Sequence, residues 1–171
     1  AIITLEREVS FEEMLRRISL FAGVFATQRG DKVVILSENR EGWIYAAYSV
    51  WNNKGIVVPV DASSTVEDVT YVVEDCTPAC IWASYKRAEI AIAAVKAAGA
   101  DIPVHIIEDY EHADIRGCDR ADVVADSNDV ALIMYTSGTT GSPKGVMLSF
   151  GNCMANINSV AFEVPIFSSF R

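Results

Sequence analysis

Short apolar runs rich in β-branched residues recur along the chain at near-even spacing, at residues 33–36, 56–60, 79–83 and 104–107. They are nearly continuous rather than alternating, the pattern of strands buried on both faces. The segments between them carry apolar residues at helical spacing, so the order is strand, helix, strand, helix. This predicts an α/β fold, a largely parallel sheet with flanking helices.

Helix boundaries follow from capping residues. Phe11, Met14, Leu15, Ile18, Phe21, Ala22 and Phe25 form one apolar face, with Glu12, Glu13, Arg16, Arg17 and Gln28 between them. Ser10 is the expected N-cap, Glu13 the second half of a capping box and Gly30 the stop. A second helix is expected over 41–53 with Trp43, Ala47, Val50 and Trp51 inward, ending near Gly55. A third runs from Thr65, with Asp68 at capping-box distance, through Val69, Val72 and Val73 to Asp75, ahead of Pro78. The fourth is alanine-rich, 85–98, and Gly99 ends it. Residues 108–128 are acidic and aperiodic, which predicts a surface excursion; 129–136 and 146–149 read as strands and 152–160 as a helix.

Composition narrows the functional classes. The chain has 171 residues, 51% of them apolar and 22% charged, enough to bury one substantial core. Fourteen basic against 23 acidic residues give a net charge of −9, which disfavours nucleic acid as a partner. Arg16-Arg17 before residues 18–26 imitates a secretory signal, yet the helical period across it points to a packed helix. No apolar run approaches the roughly 18 residues of a membrane span, which leaves at most peripheral membrane contact. Cys76, Cys80, Cys118 and Cys153 lack zinc-site spacing and are expected as buried reduced thiols of a cytoplasmic protein. Glu108, Asp109, Glu111 and Asp114 lack the pattern of a calcium loop and are expected to be solvated. Trp43, Trp51 and Trp82 are read as core, and His105 as a strand residue satisfied locally.

The chemistry-bearing segment is residues 135–149, Tyr-Thr-Ser-Gly-Thr-Thr-Gly-Ser-Pro-Lys-Gly-Val-Met-Leu-Ser, directly after an apolar run. Phosphate binding calls for inward backbone N–H groups, room for close approach, hydroxyl donors and a cation. Gly138, Gly141 and Gly145 offer room, Thr136, Ser137, Thr139 and Thr140 hydroxyls, and Lys144 the charge. It is not a Walker A loop, since Pro143 precedes the lysine and Gly145 follows it. The segment is therefore expected between two strands, and it is long for a plain hairpin turn.

Tyr135 to Leu148 resembles the phosphate-loop motif of the adenylate-forming (AMP-binding) superfamily, which contains acyl-CoA synthetases, luciferases and peptide-synthetase adenylation domains. Looser similarity extends upstream, through residues 30–35, Ser37-Glu38-Asn39-Arg40 with Trp43, residues 55–60 and 65–75. The resemblance implies a parent enzyme that uses ATP and magnesium to convert a carboxylic acid into an acyl-adenylate, releasing pyrophosphate, and passes the acyl group to coenzyme A. The flanks of the motif are similar to the long-chain fatty acid type. Thr136, Ser137, Gly138, Thr139, Thr140 and Gly141 would hold the ATP phosphates and Lys144 would neutralise them, with Thr136 also a magnesium candidate.

Phe150 departs from the family pattern, which commonly has histidine there. The adenine, ribose, magnesium-carboxylate and hinge segments and the C-terminal catalytic lysine have no counterpart in residues 1–171. The resemblance thus implies an N-terminal portion of the large AMP-binding domain, with no catalytic residue of its own and inactive alone. An amino-acid or aryl-acid adenylating enzyme remains the alternative, as does a non-catalytic nucleotide-binding or interaction module.

Overall fold

The computed structural model describes residues 2–4, 7–136 and 143–163, the last three by backbone alone. β1 (Ile2–Ile3) and β2 (Glu8–Val9) pair antiparallel as a small two-stranded sheet. The main elements are α1 (Phe11–Ala22), β3 (Lys32–Leu36), α2 (Glu41–Asn52), β4 (Ile56–Val60), α3 (Val66–Cys76), β5 (Cys80–Ala83), α4 (Ala88–Ala97) and β6 (Val104–Ile106). A short α5 (Glu108–Glu111), β7 (Val130–Thr136), β8 (Lys144–Ser149) and α6 (Phe150–Glu163) complete the order. The six-stranded sheet runs β6-β5-β3-β4-β7-β8, parallel throughout except for the antiparallel β7–β8 edge.

The continuous apolar runs have a direct cause: the central strand β3 is covered on both faces. Val33 and Ile35 face the layer that holds Ile18, Phe21, Tyr45 and Val50 of α1 and α2, while Val34 and Leu36 face Val69, Val73 and Ala94 of α3 and α4. Trp82 of β5 anchors the first layer, fully buried and stacked 4.9 Å from Phe21. Each such aliphatic side chain contributes on the order of 2 kcal/mol on leaving water, so these two layers fix the sheet that carries β7.

Several helix ends differ from the sequence reading. Ser10 does cap α1, its hydroxyl accepting from the Glu13 N–H at 3.0 Å, but the Glu13 carboxylate turns to Arg7 and Arg17, leaving the capping box half made. The helix ends at Ala22, not Gly30, because the Asn53 side chain from the end of α2 donates to the Ala22 and Phe25 carbonyls at 2.9 and 3.1 Å. Gly30, at φ 88°, instead makes the turn into β3. Around α3 the capping box is complete between Thr65 and Asp68. The stretch 85–98 divides into a 3-10 turn, Tyr85–Arg87, and α4.

The acidic stretch is a correction of a different kind. Glu111 is 4% exposed rather than solvated. Arg40 pairs with both Glu108 and Glu111, and the Gly42 N–H donates to Glu111 Oε1 at 2.8 Å. Only glycine fits at position 42, since a Cβ there would lie 2.3 Å from the Ile107 side chain. His105 also departs from expectation: its Nε2 is buried with no hydrogen-bond partner, its ring lies 5.0 Å from Trp82, and burial lowers its pKa.

All four cysteines are free, but only Cys76 and Cys80 are buried, their thiols pushed up to about 11 and about 12 by burial. Trp43 and Trp51 are partly buried against the first layer, as core residues. Among the described residues no helix is long and apolar enough to cross a membrane.

Candidate phosphate site

The β7–β8 hairpin brings two of the expected site residues together. Thr136 and Lys144 are the last partners in its register, both exposed, after Tyr135 opposite Gly145 and Met134 opposite Val146. Directly opposed residues in an antiparallel pair share a face, so a hydroxyl and an ammonium stand side by side at the mouth of the loop. Ser137, Gly138, Thr139, Thr140 and Gly141 lie outside the described residues. The segment does stand between two strands, which agrees with the exclusion of a Walker A loop.

On the opposite face the hairpin is tied to α3. The Tyr135 hydroxyl donates to Asp75 Oδ2 at 2.5 Å, and the Tyr71 hydroxyl donates to the Pro143 carbonyl at 2.8 Å. The two tyrosine rings meet edge to face, centroids 6.3 Å apart. Burial, with the adjacent Asp75 carboxylate, raises the Tyr135 pKa well above the ordinary phenol value, so it remains a donor at neutral pH. Gly145 seats this ring: a Cβ there would come within 3.3 Å of Tyr135 Cζ and 2.9 Å of Ile133 Cγ2. Its missing side chain therefore makes room for Tyr135 and Ile133. Neither Tyr71 nor Asp75 was singled out by sequence reasoning, because their role depends on the sheet order that places α3 beside β7 and β8.

A polyphosphate fits the chemistry of this mouth, since Lys144 is an exposed cation in a chain of net charge −9 and Thr136 can donate. Magnesium fits only in part. No group of three His, Cys, Asp or Glu residues able to hold a metal occurs among the described residues, and Thr136 offers a single neutral oxygen. Magnesium typically keeps several waters and takes phosphate oxygens, so Thr136 could serve as at most one ligand of a nucleotide-borne ion.

Phe150 opens α6, its ring edge-on to Trp51 at 5.5 Å. Both border a cleft of about 450 Å³ with Tyr48, Ala131, Met154 and Ile157. Where the family pattern commonly has histidine, this chain thus makes an apolar contact. The Asn152 N–H donates to Ser149 Oγ and the Ser149 N–H to Asn152 Oδ1 at 3.1 and 3.0 Å, so α6 starts in order and two residues earlier than the sequence suggested.

The pattern that defines the AMP-binding enzymes matches residues 1–169. The chain belongs to the AMP-binding enzyme family. Among curated relatives of this family, feruloyl-CoA synthase of Amycolatopsis sp is 28% identical over 166 residues, covering 95% of this chain and 33% of the relative. Surfactin synthase subunit 1 of Bacillus subtilis (strain 168) is 30% identical over 154 residues, 86% of this chain and 4% of the relative. The chain thus spans a third or less of the length of these relatives.

Solved structures agree on the fold. Apo MatB from Rhodopseudomonas palustris superposes with a TM-score of 0.75 at 23% identity, over 91% of this chain and 32% of that one. The O-succinylbenzoate coenzyme A synthetase MenE of Bacillus subtilis, in complex with AMP, gives 0.78 at 20% identity, over 96% and 42%. Both carry the mostly parallel sheet with flanking helices described above.

Proposed function

We propose that this chain is the first portion of the large domain of an enzyme that activates a carboxylic acid with ATP. The hairpin mouth carries the reading: the pairing of Thr136 with Lys144 presents a hydroxyl and a cation at the two ends of the hydroxyl- and glycine-rich segment. A carboxylate is a poor electrophile, and adenylation gives it a good leaving group. In this reading residues 137–141 hold the β- and γ-phosphates, Lys144 neutralises charge as pyrophosphate departs, and Thr136 helps place magnesium. No described residue is assigned to acid–base chemistry, and the groups that complete adenylation belong to sequence beyond residues 1–171.

For the second half-reaction we propose transfer to the thiol of coenzyme A, with a fatty acid as the acid. Similarity to feruloyl-CoA synthase supports a CoA acceptor without specifying an aliphatic acid. Similarity to surfactin synthase subunit 1 supports a second reading, adenylation of an amino acid. A cytoplasmic site of action is part of the proposal, in keeping with four free thiols.

The test is exchange of labelled pyrophosphate into ATP by the intact protein that carries this chain, over a panel of fatty, aryl and amino acids. Exchange dependent on one acid class, weakened at least tenfold by Lys144→Ala, is expected. Absence of exchange with every acid, or a rate indifferent to Lys144→Ala, would remove the hairpin from this chemistry. Residues 1–171 alone are expected to form no acyl-CoA.

A further inference from the structure

The structure assigns Tyr71 and Asp75 of α3 as positioning residues that latch both stems of the β7–β8 hairpin and so fix the Thr136–Lys144 mouth against the sheet. This rests on the proposed use of that mouth for phosphate.

The geometry is two-sided. Asp75 holds the outgoing stem through the Tyr135 hydroxyl at 2.5 Å, one residue before Thr136. Tyr71 holds the returning stem through the Pro143 carbonyl at 2.8 Å, one residue before Lys144. Tyr71 and Asp75 are four apart on α3, hence on one face of it, and the ring contact between Tyr71 and Tyr135 closes the square. Their helix is secured independently by its capping box and by Val69, Val72 and Val73 in the second core layer. The need for such a latch is physical. β8 is the edge strand, paired only with β7, and its residues 144–147 are exposed. Without the tyrosine bonds, nothing among the described contacts of Pro143 ties the returning stem to the layer of α3.

A positioning role makes demands that simple stabilisation does not. Tyr71→Phe keeps the ring and deletes the bond to Pro143, while Asp75→Asn keeps an acceptor for Tyr135 and Asp75→Ala removes it. In the intact protein, Tyr71→Phe and Asp75→Ala should each raise the KM for ATP in pyrophosphate exchange by about 3- to 10-fold, the span expected from one lost hydrogen bond. The KM for the acid should stay within twofold, and Asp75→Asn should restore most of the ATP effect.

A second readout does not depend on activity: backbone amide exchange at Thr136, Lys144 and Gly145 should quicken severalfold in Tyr71→Phe while amides of β3 and β4 keep their wild-type rates. Unchanged amide exchange at the mouth in both Tyr71→Phe and Asp75→Ala would overturn the latch, as would a wild-type KM for ATP in both variants of an active enzyme. If the wild-type protein exchanges no pyrophosphate, the functional proposal fails, and the amide rates still decide whether these residues hold the hairpin.

Discussion

Gly145 illustrates how a residue can be singled out for one reason and needed for another. In the sequence it is one of three glycines around a lysine and reads as space for a phosphate. In the fold it lies within β8, opposite Tyr135, and the space it leaves is filled by the tyrosine ring and Ile133. Gly145→Ala would place a Cβ 2.9 Å from Ile133 Cγ2. Overpacking costs about 1–3 kcal/mol, against a gain of up to about 1 kcal/mol from a stiffer unfolded chain. The variant should therefore unfold at lower urea concentration than wild type, with an unchanged slope, and a midpoint at or above wild type would show that the ring has room to move. His105 and Glu111 teach the same lesson. Each carries a polar group whose burial depends on residues distant in sequence, Trp82 and Phe25 around the histidine and Arg40 and Gly42 around the carboxylate.

Elements were legible where their cause is local. The strand Ile56–Val60 coincides with its apolar run, and α3 begins immediately after Thr65 because the Thr65–Asp68 box is a local device. The end of α1 was not legible, since the Asn53 amide that caps it lies 31 residues beyond Ala22. Residues 108–111 show no period over so short a length, and the partners that make them helical are on α1 and α2. For α3 the local cap also has a distant consequence, because this helix carries both latch residues. Thr65→Ala removes the hydroxyl that accepts from the Asp68 N–H and should cost about 1 kcal/mol. Chemical denaturation checks the loss, and amide exchange should rise first in the opening turn of α3. A cost near zero would mean that Asp68, or water, satisfies those N–H groups unaided.

At the scale of the whole molecule, apolar layering explains the sheet, while the first helical layer is joined to the N-terminal segment by ions. Arg7 reaches from the chain before β2 to Glu41 of α2 and Glu13 of α1, Glu13 also holds Arg17, and Arg17 donates to the Glu111 carbonyl at 2.7 Å. None of these pairs was anticipated from the sequence, because like-looking charges at helix starts give no sign of which will meet. Glu41 is the informative member. The Arg7 guanidinium, then the Tyr45 hydroxyl at 3.1 Å, hold its pKa below the usual carboxylate value, and partial burial opposes them. Its unfolded pKa is near the ordinary value of about 4.3. A depressed folded pKa contributes stability that is fully present above that value and is lost as pH falls through the folded one. The urea midpoint should therefore decline below about pH 4.5, and Glu41→Gln should be less stable at neutral pH yet show a shallower acid decline. The decline should not vanish, since Asp61, Asp68 and Asp114 are also held below their ordinary pKa by local bonds, and Asp129 by the Arg29 guanidinium. An acid limb identical in wild type and Glu41→Gln would mean that the Arg7–Glu41 contact adds nothing in solution, and that the N-terminal segment is held by the burial of Val9, the packing of Ile2 and the Arg7–Glu13 pair.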